Sequence, residues 1–340
     1  MKKFLVTLIL ISTLAGTASF LSYADRALFG KKPVSTHLRV VKGTSVKSIL
    51  KELEKKGVVE DSLLAYIYVR FKKLNVKEGC YSFNGNYSTV DILKELTKGT
   101  PCLVKATIPE GTDVFELDKL LSRKGFCREG EVLSLSKDKA FLSELQIPYL
   151  EGHIYPDTYL VNEKASCKEV IRTAVSQFKK IIGNLFSGYT PPELVKRALK
   201  EVSEEKLLTV ASIVEKETSI REEKPLIAGV IYNRLIRGMK LQCDPTVYYA
   251  YKLAGIKKDK LHKGDTSFPS PYNTYYTKGL PPSPICNPGI DSIKAAMYPK
   301  ETRYLYFVAG ERGHIFSTSY NQHLKNIRKL YRNGKKVRNR

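Results

Sequence analysis

The sequence predicts an α+β protein in three parts: an N-terminal membrane-spanning helix, a small module of strands and helices, and a larger mixed domain with a C-terminal hairpin. Three observations lead to this prediction. An uncharged stretch precedes the body of the chain, a strand-plus-helix segment recurs, and amphipathic helices later alternate with proline-rich loops. The 340 residues suffice for roughly two or three compact units with hydrophobic cores of their own.

The first element is the predicted membrane-spanning helix. No charged residue occurs from Phe4 to Ala24, and two lysines precede this stretch. It is long enough to cross the hydrocarbon core of a bilayer, which is about 30 Å thick. Lysines before a spanning helix favour a cytoplasmic N-terminus. We therefore expect residues 1–30 to be a single-pass anchor and juncture in the plasma (cell inner) membrane, with the bulk of the chain in the periplasm or another extracytoplasmic space. The alternative is a signal peptide cleaved near Ser22 and Ala24.

Charge and cysteine content restrict the partners and bound groups. The net charge is +23, and residues 333–340 belong to a dense basic tail, so anionic partners are favoured. Because the body is expected outside the cytoplasm, we predict no nucleic-acid partner. The six cysteines include no pair at CxxC spacing, and the five histidines form no ligand cluster with them, so no metal site is predicted. Disulfides are permitted, but their pairing stays open.

A repeated segment organises the next part of the chain. Lys42–Gly57 (KGTSVKSILKELEKKG) matches Glu110–Gly125 (EGTDVFELDKLLSRKG) with the same spacing between glycines, and Tyr87–Gly99 is a weaker third copy. The first two copies each combine a strand-like lead, a Gly-Thr turn, a capping residue and apolar residues at helical spacing. We predict that these segments fold as small strand-plus-helix units.

The larger domain begins with loops and helices. EGHIYPDTYLV (Glu151–Val161) is predicted to be a loop that leads into a strand. Amphipathic helices are expected at Lys168–Phe186 and from Glu193 to about residue 202. The hydrophobic stretch LLTVASIVEKETS (Leu207–Ser219) is predicted to form another helix.

The remaining elements follow that stretch. Ser219 and Glu222 form a capping-box pattern for a helix that should end at Gly238. Residues 239–290 contain many prolines and are predicted to be rich in loops. Residues 303–320 are predicted to form a hairpin that turns at residues 310–313, and a last helix leads to the tail.

Two glutamates in the stretch LLTVASIVEKETS raise the question of chemistry. Successive residues on a helix differ by about 100° in direction, so Glu217 projects with Val210 and Val214 while Glu215 lies on the opposite, solvated face. A carboxyl group in apolar surroundings has a raised pKa, which suits a general acid. The alternative is a structural glutamate that pairs with Arg234 or Arg237 at the end of the helix.

The loop segments around this helix carry tyrosine, asparagine, glutamine and aspartate. Such side chains on proline-stiffened loops suit a groove that stacks on sugar rings and binds their hydroxyl and N-acetyl groups. Packing at a domain edge is the alternative. The chain has no Ser-His-Asp order, nucleophile elbow, Walker loop or dinucleotide fingerprint.

These segments resemble a known family. ASIVEKET, VIYNRL, GMKLQCDPTVYYA, PYNTYYTKGLPPSPICNPG and YLYFVAGERGHIFSTSYNQH together look like the MltG-like (YceG-like) endolytic murein transglycosylases. The resemblance covers most of the chain and is most specific in Glu151–His323. It implies that residues 38–104 are a LysM-like module in contact with glycan strands, and that residues 105–332 are the catalytic domain.

The resemblance also implies an activity. Enzymes of this family cleave the β-1,4 bond between N-acetylmuramic acid and N-acetylglucosamine without water, in nascent glycan strands, and so limit strand length. The second glutamate of EKE is their catalytic residue, which is Glu217 here. It would protonate the leaving oxygen and then accept the proton of the muramyl C6 hydroxyl, which leaves a 1,6-anhydro end. No cofactor is implied, and wall synthases are candidate partners.

Candidate substrate-binding residues come from the same segments. They are Asn233, Arg234, Gln242, Asp244, Thr246, Tyr272, Asn273, Tyr275 and, as a structural or substrate-binding residue, Asp157. If the segments that contain Cys243 and Cys286 both line the cleft, a disulfide between these cysteines would brace it. Two rival functions stay open: a muramidase-type hydrolase in which Asp244 or Asp157 activates water, and a non-catalytic glycan-binding scaffold of the wall synthesis machinery.

Overall fold

The computed structural model describes residues 2–332 and the side chains of residues 12–330. The predicted basic tail at residues 333–340 lies outside this range. The chain divides into two compact units, Met1–Val104 and Lys105–Arg340. Helices and short two-stranded sheets alternate along it, which confirms the α+β class.

The first unit combines one sheet with four helices. It contains α1 (Lys2–Phe29), β1 (Lys32–Val40), α2 (Val46–Lys55), α3 (Ser62–Phe71), β2 (Gly79–Tyr87) and α4 (Thr89–Lys98). Strands β1 and β2 are antiparallel and pair from Lys32↔Tyr87 to Val40↔Gly79. The helices bury Leu50, Leu53 and Leu93 against this sheet. A disulfide joins Cys80 to Cys102.

The N-terminal helix does not support the predicted membrane span. Within the described part of the chain, no helix has the length and apolar character needed to cross a bilayer; residues 4–11 of the predicted span lie outside the described side chains. Helix α1 continues beyond Ala24, and its last turns pack against other elements of the first unit. Ala27 is buried there, and its carbonyl accepts a hydrogen bond from Thr89 Oγ1 at 2.7 Å.

The second unit contains the remaining elements. These are β3 (Leu103–Thr107, shared with the end of the first unit), α5 (Val114–Arg123), α6 (Glu131–Leu135), α7 (Lys139–Glu144), β4 (Thr158–Asn162), α8 (Cys167–Phe186), α9 (Glu193–Leu199), α10 (Glu204–Glu217), α11 (Lys224–Ile236), α12 (Asp244–Leu253), α13 (Ile290–Met297), β5 (Tyr306–Ala309), β6 (His314–Ser317) and α14 (Tyr320–Arg332). Strand β3 pairs with β4, and β5 pairs with β6 as the predicted hairpin.

The repeated segments fold alike. A strand precedes each of α2, α4 and α5, and Ser45, Ser88 and Asp113 are their respective N-cap residues. Each N-cap side chain accepts a hydrogen bond from the backbone amide three residues later, which satisfies an amide that the helix leaves free. The predicted strand-plus-helix unit is therefore confirmed in all three copies.

One local prediction was wrong, and another left out a helix. Ser219 and Glu222 do not cap a helix; a 3-10 turn at Arg221–Glu223 precedes α11, which carries Pro225 in its first turn, where its missing amide costs no hydrogen bond. In addition, residues 244–253 of the predicted loop region form helix α12, because Pro245 also occupies a first turn and so starts the helix instead of breaking it.

The predicted disulfide between Cys243 and Cys286 is also wrong. Both thiols are free and buried. Cys243 Sγ donates to the carbonyl of Leu241, and Cys286 Sγ donates to the carbonyl of Ser212. The second unit instead holds a disulfide between Cys127 and Cys167.

Helix α10 is the central element of the second unit. Every residue from Leu207 to Val214 is buried, and the helix packs chiefly against α11 and α13. Residues on every face of this part of the helix are therefore buried, and not only those of the predicted apolar stripe. Only its C-terminal end, at Glu217, reaches a cleft.

Candidate active site

A cleft of about 770 Å³ opens at the C-terminal end of α10. The end of α10 contributes Glu217 to its surface, the segment just before α12 contributes Gln242, and the first residue of α12 contributes Asp244. The hairpin β5–β6 and helix α14 form further parts of this surface. The most central buried helix of the unit therefore presents its last side chain to an open cavity. Such an arrangement holds a reactive group on a rigid support.

Glu217 has the properties of a general acid. Burial and then the nearby charge of Asp244 raise its pKa, a hydrogen bond with Cys243 and the charge of Arg234 lower it, and the net pKa is about 7. Its position in the last turn of α10 also disfavours a negative charge, because the carbonyl end of a helix is itself partially negative. A carboxyl group with a pKa near 7 can both donate and accept a proton near neutral pH.

Asp244 is the second carboxyl group of the cleft. It is the first residue of α12, and Tyr275 Oη donates a hydrogen bond to its Oδ1 at 2.7 Å. Burial and the charge of Asp244 raise the pKa of Tyr275, so this phenol stays protonated as a donor. The pair places a fixed negative charge close to Glu217.

Arg234 supports the cleft through backbone contacts. Its Nε donates to the carbonyl of Leu305 and its Nη1 to the carbonyl of Leu241, both at 2.6 Å. Its guanidinium carbon lies 5.1 Å from the centre of the Tyr306 ring, which is a cation–π contact. Arg234 thus ties α11 to the chain before β5 and to the segment before α12, and these bonds go to backbone carbonyls, not to Glu217 as the structural alternative predicted.

Gln242 lies in the cleft with an unusual backbone. Its φ is 51°, and its amide donates to the carbonyl of Thr274 at 3.1 Å. A residue other than glycine is strained when its φ is positive, and such backbone strain is concentrated at functional sites. The neighbouring hydrogen bonds hold this conformation, which leaves the Gln242 side chain at the cleft surface.

Comparison with known proteins shows which family this sequence belongs to. The sequence profile of the YceG-like family matches residues 38–329. This chain belongs to the YceG-like family.

Relatives of the YceG-like family match most of the chain. A Bacillus subtilis (strain 168) protein named endolytic murein transglycosylase is 31% identical over 313 residues, which cover 86% of this chain and 83% of that protein. The endolytic murein transglycosylase of Streptococcus pneumoniae serotype 2 (strain D39 / NCTC 7466) is 29% identical, with 91% of this chain covered. The match spans only 61% of that longer protein.

A solved structure of the YceG-like family is also similar. The crystal structure of a YceG-like protein from Listeria monocytogenes superimposes with a TM-score of 0.58 at 31% identity, and the match covers 86% of this chain and 98% of that one. The architecture described above is therefore a YceG-like fold.

Five of the ten predicted site residues line the cleft of this YceG-like chain. They are Glu217, Arg234, Gln242, Asp244 and Tyr275. Three of the others hold loops behind it. Asn233 Nδ2 donates to the carbonyls of Thr302 and Tyr304, Thr246 Oγ1 is bonded to Thr274 Oγ1 at 2.9 Å, and Asn273 Nδ2 donates to the carbonyls of Thr266 and Phe268.

The last two predicted residues lie away from the described cleft surface. Tyr272 shares a hydrogen bond of 2.7 Å with Ser283 and packs against Tyr249. Asp157 is exposed at the start of β4, where its carboxylate accepts from the amide of Thr158. These contacts give both side chains a role in shaping loops.

The position predicted for Glu215 was wrong. Its side chain is 8% exposed, not solvated, and it pairs with Lys224, which is 5% exposed. The amide of Gly289 and the hydroxyl of Ser292 also donate to its Oε2, at 3.0 and 2.6 Å. The helical phase separates the two glutamates correctly, but α13 covers the face that an isolated amphipathic helix would expose to water.

Sequence reasoning missed Glu151. This buried side chain accepts hydrogen bonds from the Val114 amide, Tyr249 Oη and Asn287 Nδ2. Burial and then the charge of Asp113 raise its pKa, its hydrogen bonds from Val114 and Tyr249 lower it, and the net pKa is about 8. The only signal in the sequence was an acidic residue between apolar neighbours in a segment without helical or strand periodicity, and that signal does not reveal partners more than 30 residues away.

Proposed function

We propose that this chain is an endolytic peptidoglycan lytic transglycosylase with Glu217 as its acid and base. The observation that carries the proposal is a carboxyl group with a pKa of about 7 at the end of a buried helix, facing a cleft. The names of the Bacillus and Streptococcus relatives support the reaction class. The substrate would be a glycan strand, cut at the β-1,4 bond between N-acetylmuramic acid and N-acetylglucosamine.

The proposed reaction uses one group twice. Protonated Glu217 gives its proton to the glycosidic oxygen, and the bond from that oxygen to C1 of the muramyl residue breaks. The C6 hydroxyl oxygen of the same residue bonds to C1, and its proton passes to the Glu217 carboxylate. The products are a free 4-hydroxyl and a 1,6-anhydro end, water is not consumed, and the acid form of Glu217 is restored.

The surroundings of Glu217 suit both halves of this cycle. Burial and Asp244 favour the acid form that must start the reaction, while Cys243 and Arg234 favour the carboxylate that must accept the second proton. A pKa near the working pH keeps both forms accessible. The substrate supplies its own nucleophile, so the scheme requires only one acid–base residue.

The first unit is proposed to contact glycan, as the resemblance to LysM-like modules suggests. Its order of β1, α2, α3 and β2, with the two strands paired, supports this assignment. We also propose that the body of the chain acts outside the cytoplasm. The two disulfides support that location, because such bonds persist in oxidising compartments.

A hydrolase is the second candidate function. Asp244 lies in the same cleft as Glu217 and affects its pKa, so it could serve as a base that activates water. The two reactions differ in their products, since hydrolysis leaves a reducing end where the transglycosylase leaves an anhydro end.

The deciding experiment is digestion of uncrosslinked glycan strands, with product ends identified by mass spectrometry. We expect anhydro ends with the wild-type chain, and a loss of activity of about 10²–10⁴-fold in Glu217→Gln. Glu215→Gln is the matched control, because it changes the same residue type two positions away and should retain the rate per folded molecule. Reducing ends would establish the hydrolase instead, and full activity of Glu217→Gln would overturn the site.

A further inference from the structure

A partly buried, hydrogen-bonded pair of side chains, Glu223 and His314, attaches one cleft wall to the end of α10. The wall is the hairpin β5–β6, whose residues 306–314 line the cleft. Glu223, just before α11, accepts from His314 twice, from the backbone amide at 2.6 Å and from ring Nδ1 at 2.7 Å. Both side chains are only 13% exposed.

The same carboxylate also contacts the catalytic segment. Thr218 directly follows Glu217 and is the C-cap residue of α10. Its hydroxyl donates to Glu223 Oε2 at 3.0 Å and accepts from the amide of Ile220, also at 3.0 Å. One carboxylate therefore joins the end of α10, the 3-10 turn and the hairpin.

Gly313 allows this close approach. Its φ is +144°, and a Cβ atom added there would lie 2.1 Å from Glu223 Oε1. No side chain fits at that distance, so the hairpin can contact the carboxylate only because residue 313 is glycine. The packing at this point is thus as specific as the hydrogen bonds.

The hairpin depends on such attachments. Each of its strands has four residues, and an isolated two-stranded hairpin is at best marginally stable in water. Arg234 holds the chain just before β5 through the carbonyl of Leu305, and the pair with Glu223 holds the first residue of β6. The pair with Glu223 therefore fixes the hairpin at the end that is next to the turn at residues 310–313.

We propose that Glu223 and His314 are positioning residues that set the distance between the hairpin wall and Glu217. This inference rests on the proposed function, because it assumes that the glycan strand lies between the two. Neither residue takes part in proton transfer. Their effect is on substrate binding and orientation, where displacement of a wall by about 1 Å costs up to roughly 10²-fold in rate.

The test uses Glu223→Ala, the conservative Glu223→Gln, and Gly313→Ala, which displaces the hairpin without removing the carboxylate. We expect Glu223→Ala and Gly313→Ala to raise KM by roughly tenfold or more, and Glu223→Gln to recover most of the wild-type value. The pH at which activity falls should stay constant, since burial at the end of α10 and the neighbours Asp244, Cys243 and Arg234 set the pKa of Glu217. Glu144→Ala, which breaks an exposed pair with Arg172, is the control and should leave KM unchanged.

A second measurement separates this inference from the proposed reaction. In the Glu217→Gln background, binding of intact glycan strands can be measured without cleavage, and Glu223→Ala should weaken it by a similar factor. If folded Glu223→Ala and Gly313→Ala bind strands within twofold of the parent, the positioning role is wrong, whatever the reaction. If either protein fails to fold, His314→Ala provides the comparison, because it removes the ring donor and keeps the carboxylate of Glu223, and an unchanged KM in that variant overturns the proposal.

Discussion

At the residue scale, the acid strength of Glu217 is a balance between neighbours with opposite effects. Burial and the carboxylate of Asp244 raise its pKa, and Arg234 and Cys243 lower it. Removal of one neighbour should therefore shift the pH dependence of the reaction without changing the reacting group. A substitution at Asp244 is the simplest way to test this balance, because asparagine removes the charge with almost no change in the shape of the side chain.

The variant Asp244→Asn should lower the pKa of Glu217, since a nearby negative charge no longer opposes ionisation. Activity that needs the acid form falls as pH rises through about 7 in the wild type. In the variant we expect this fall roughly one pH unit lower, measured as kcat/KM against pH. Tyr275→Phe keeps the charge and is the control. An unchanged profile would contradict the assignment, and loss of all activity would favour the hydrolase.

Glu151 should make stability depend on pH. Its pKa rises from an ordinary 4.5 to about 8 in the folded chain, so the folded state binds its proton more tightly. This contribution to the free energy of unfolding is complete below pH 4.5 and is lost as pH rises through about 8. Denaturant unfolding across this range should show wild-type stability decreasing, and the decrease should be smaller in Glu151→Gln. An equal decrease in both proteins would assign it to other groups.

At the element scale, α10 is enclosed by α11 and α13, and its one charged contact inside that packing is the pair of Glu215 with Lys224. This contact joins the end of α10 to the beginning of α11. It explains how a glutamate can occupy a covered face of the helix two residues before the proposed catalytic group.

Breaking the Glu215–Lys224 pair from one side should be costly. Lys224→Met leaves a buried carboxylate without its cation, so we expect a loss of about 3–5 kcal/mol in the free energy of unfolding. The double variant Glu215→Gln/Lys224→Met removes both charges and should lose less than the sum of the single changes, as measured by chemical denaturation. Additive losses would show that the two side chains do not stabilise each other.

Much of this element structure could be predicted from the sequence. In the three strand-plus-helix copies, a capping residue and apolar residues at helical spacing predict the helix from nearby sequence alone. The structure contains all three of these helices. The direction of Glu217 also follows from its position on α10. The partners of Glu215 and Glu151 could not be predicted, because Ser292 and Asn287 come from distant segments. Helix α12 was missed because a proline in the first turn resembles a proline in a loop.

At the scale of the whole molecule, each compact unit contains one disulfide. Cys80–Cys102 lies in the first unit and closes a loop of 22 residues, and Cys127–Cys167 lies in the second and closes one of 40 residues. Each bond restricts the unfolded chain of its own unit only. Reduction should therefore act on the two units separately.

Each disulfide should stabilise its unit by about 3–4 kcal/mol, according to the entropy of closing loops of these lengths. Calorimetry of the double variant Cys80→Ala/Cys102→Ala should show a lower melting temperature for the first unit, and addition of a reductant should lower the transition of the second. Cys286→Ala, which alters a free thiol, should leave the response to reductant unchanged. If the denatured wild-type protein shows six free thiols without any reductant, the pairs are absent in solution.

The close packing around α10 limits which parts of the cleft can differ between related proteins. A helix that is packed on every face has no room to shift, so the acid stays in place while only the opposite wall can change shape. Among YceG-like proteins that cut different strands, we therefore expect the turn to vary in length and in side chains at residues 310–312, with glycine kept at residue 313 beside Glu223. Helix α10 would then keep the acid in one place, and the hairpin would determine which strands fit.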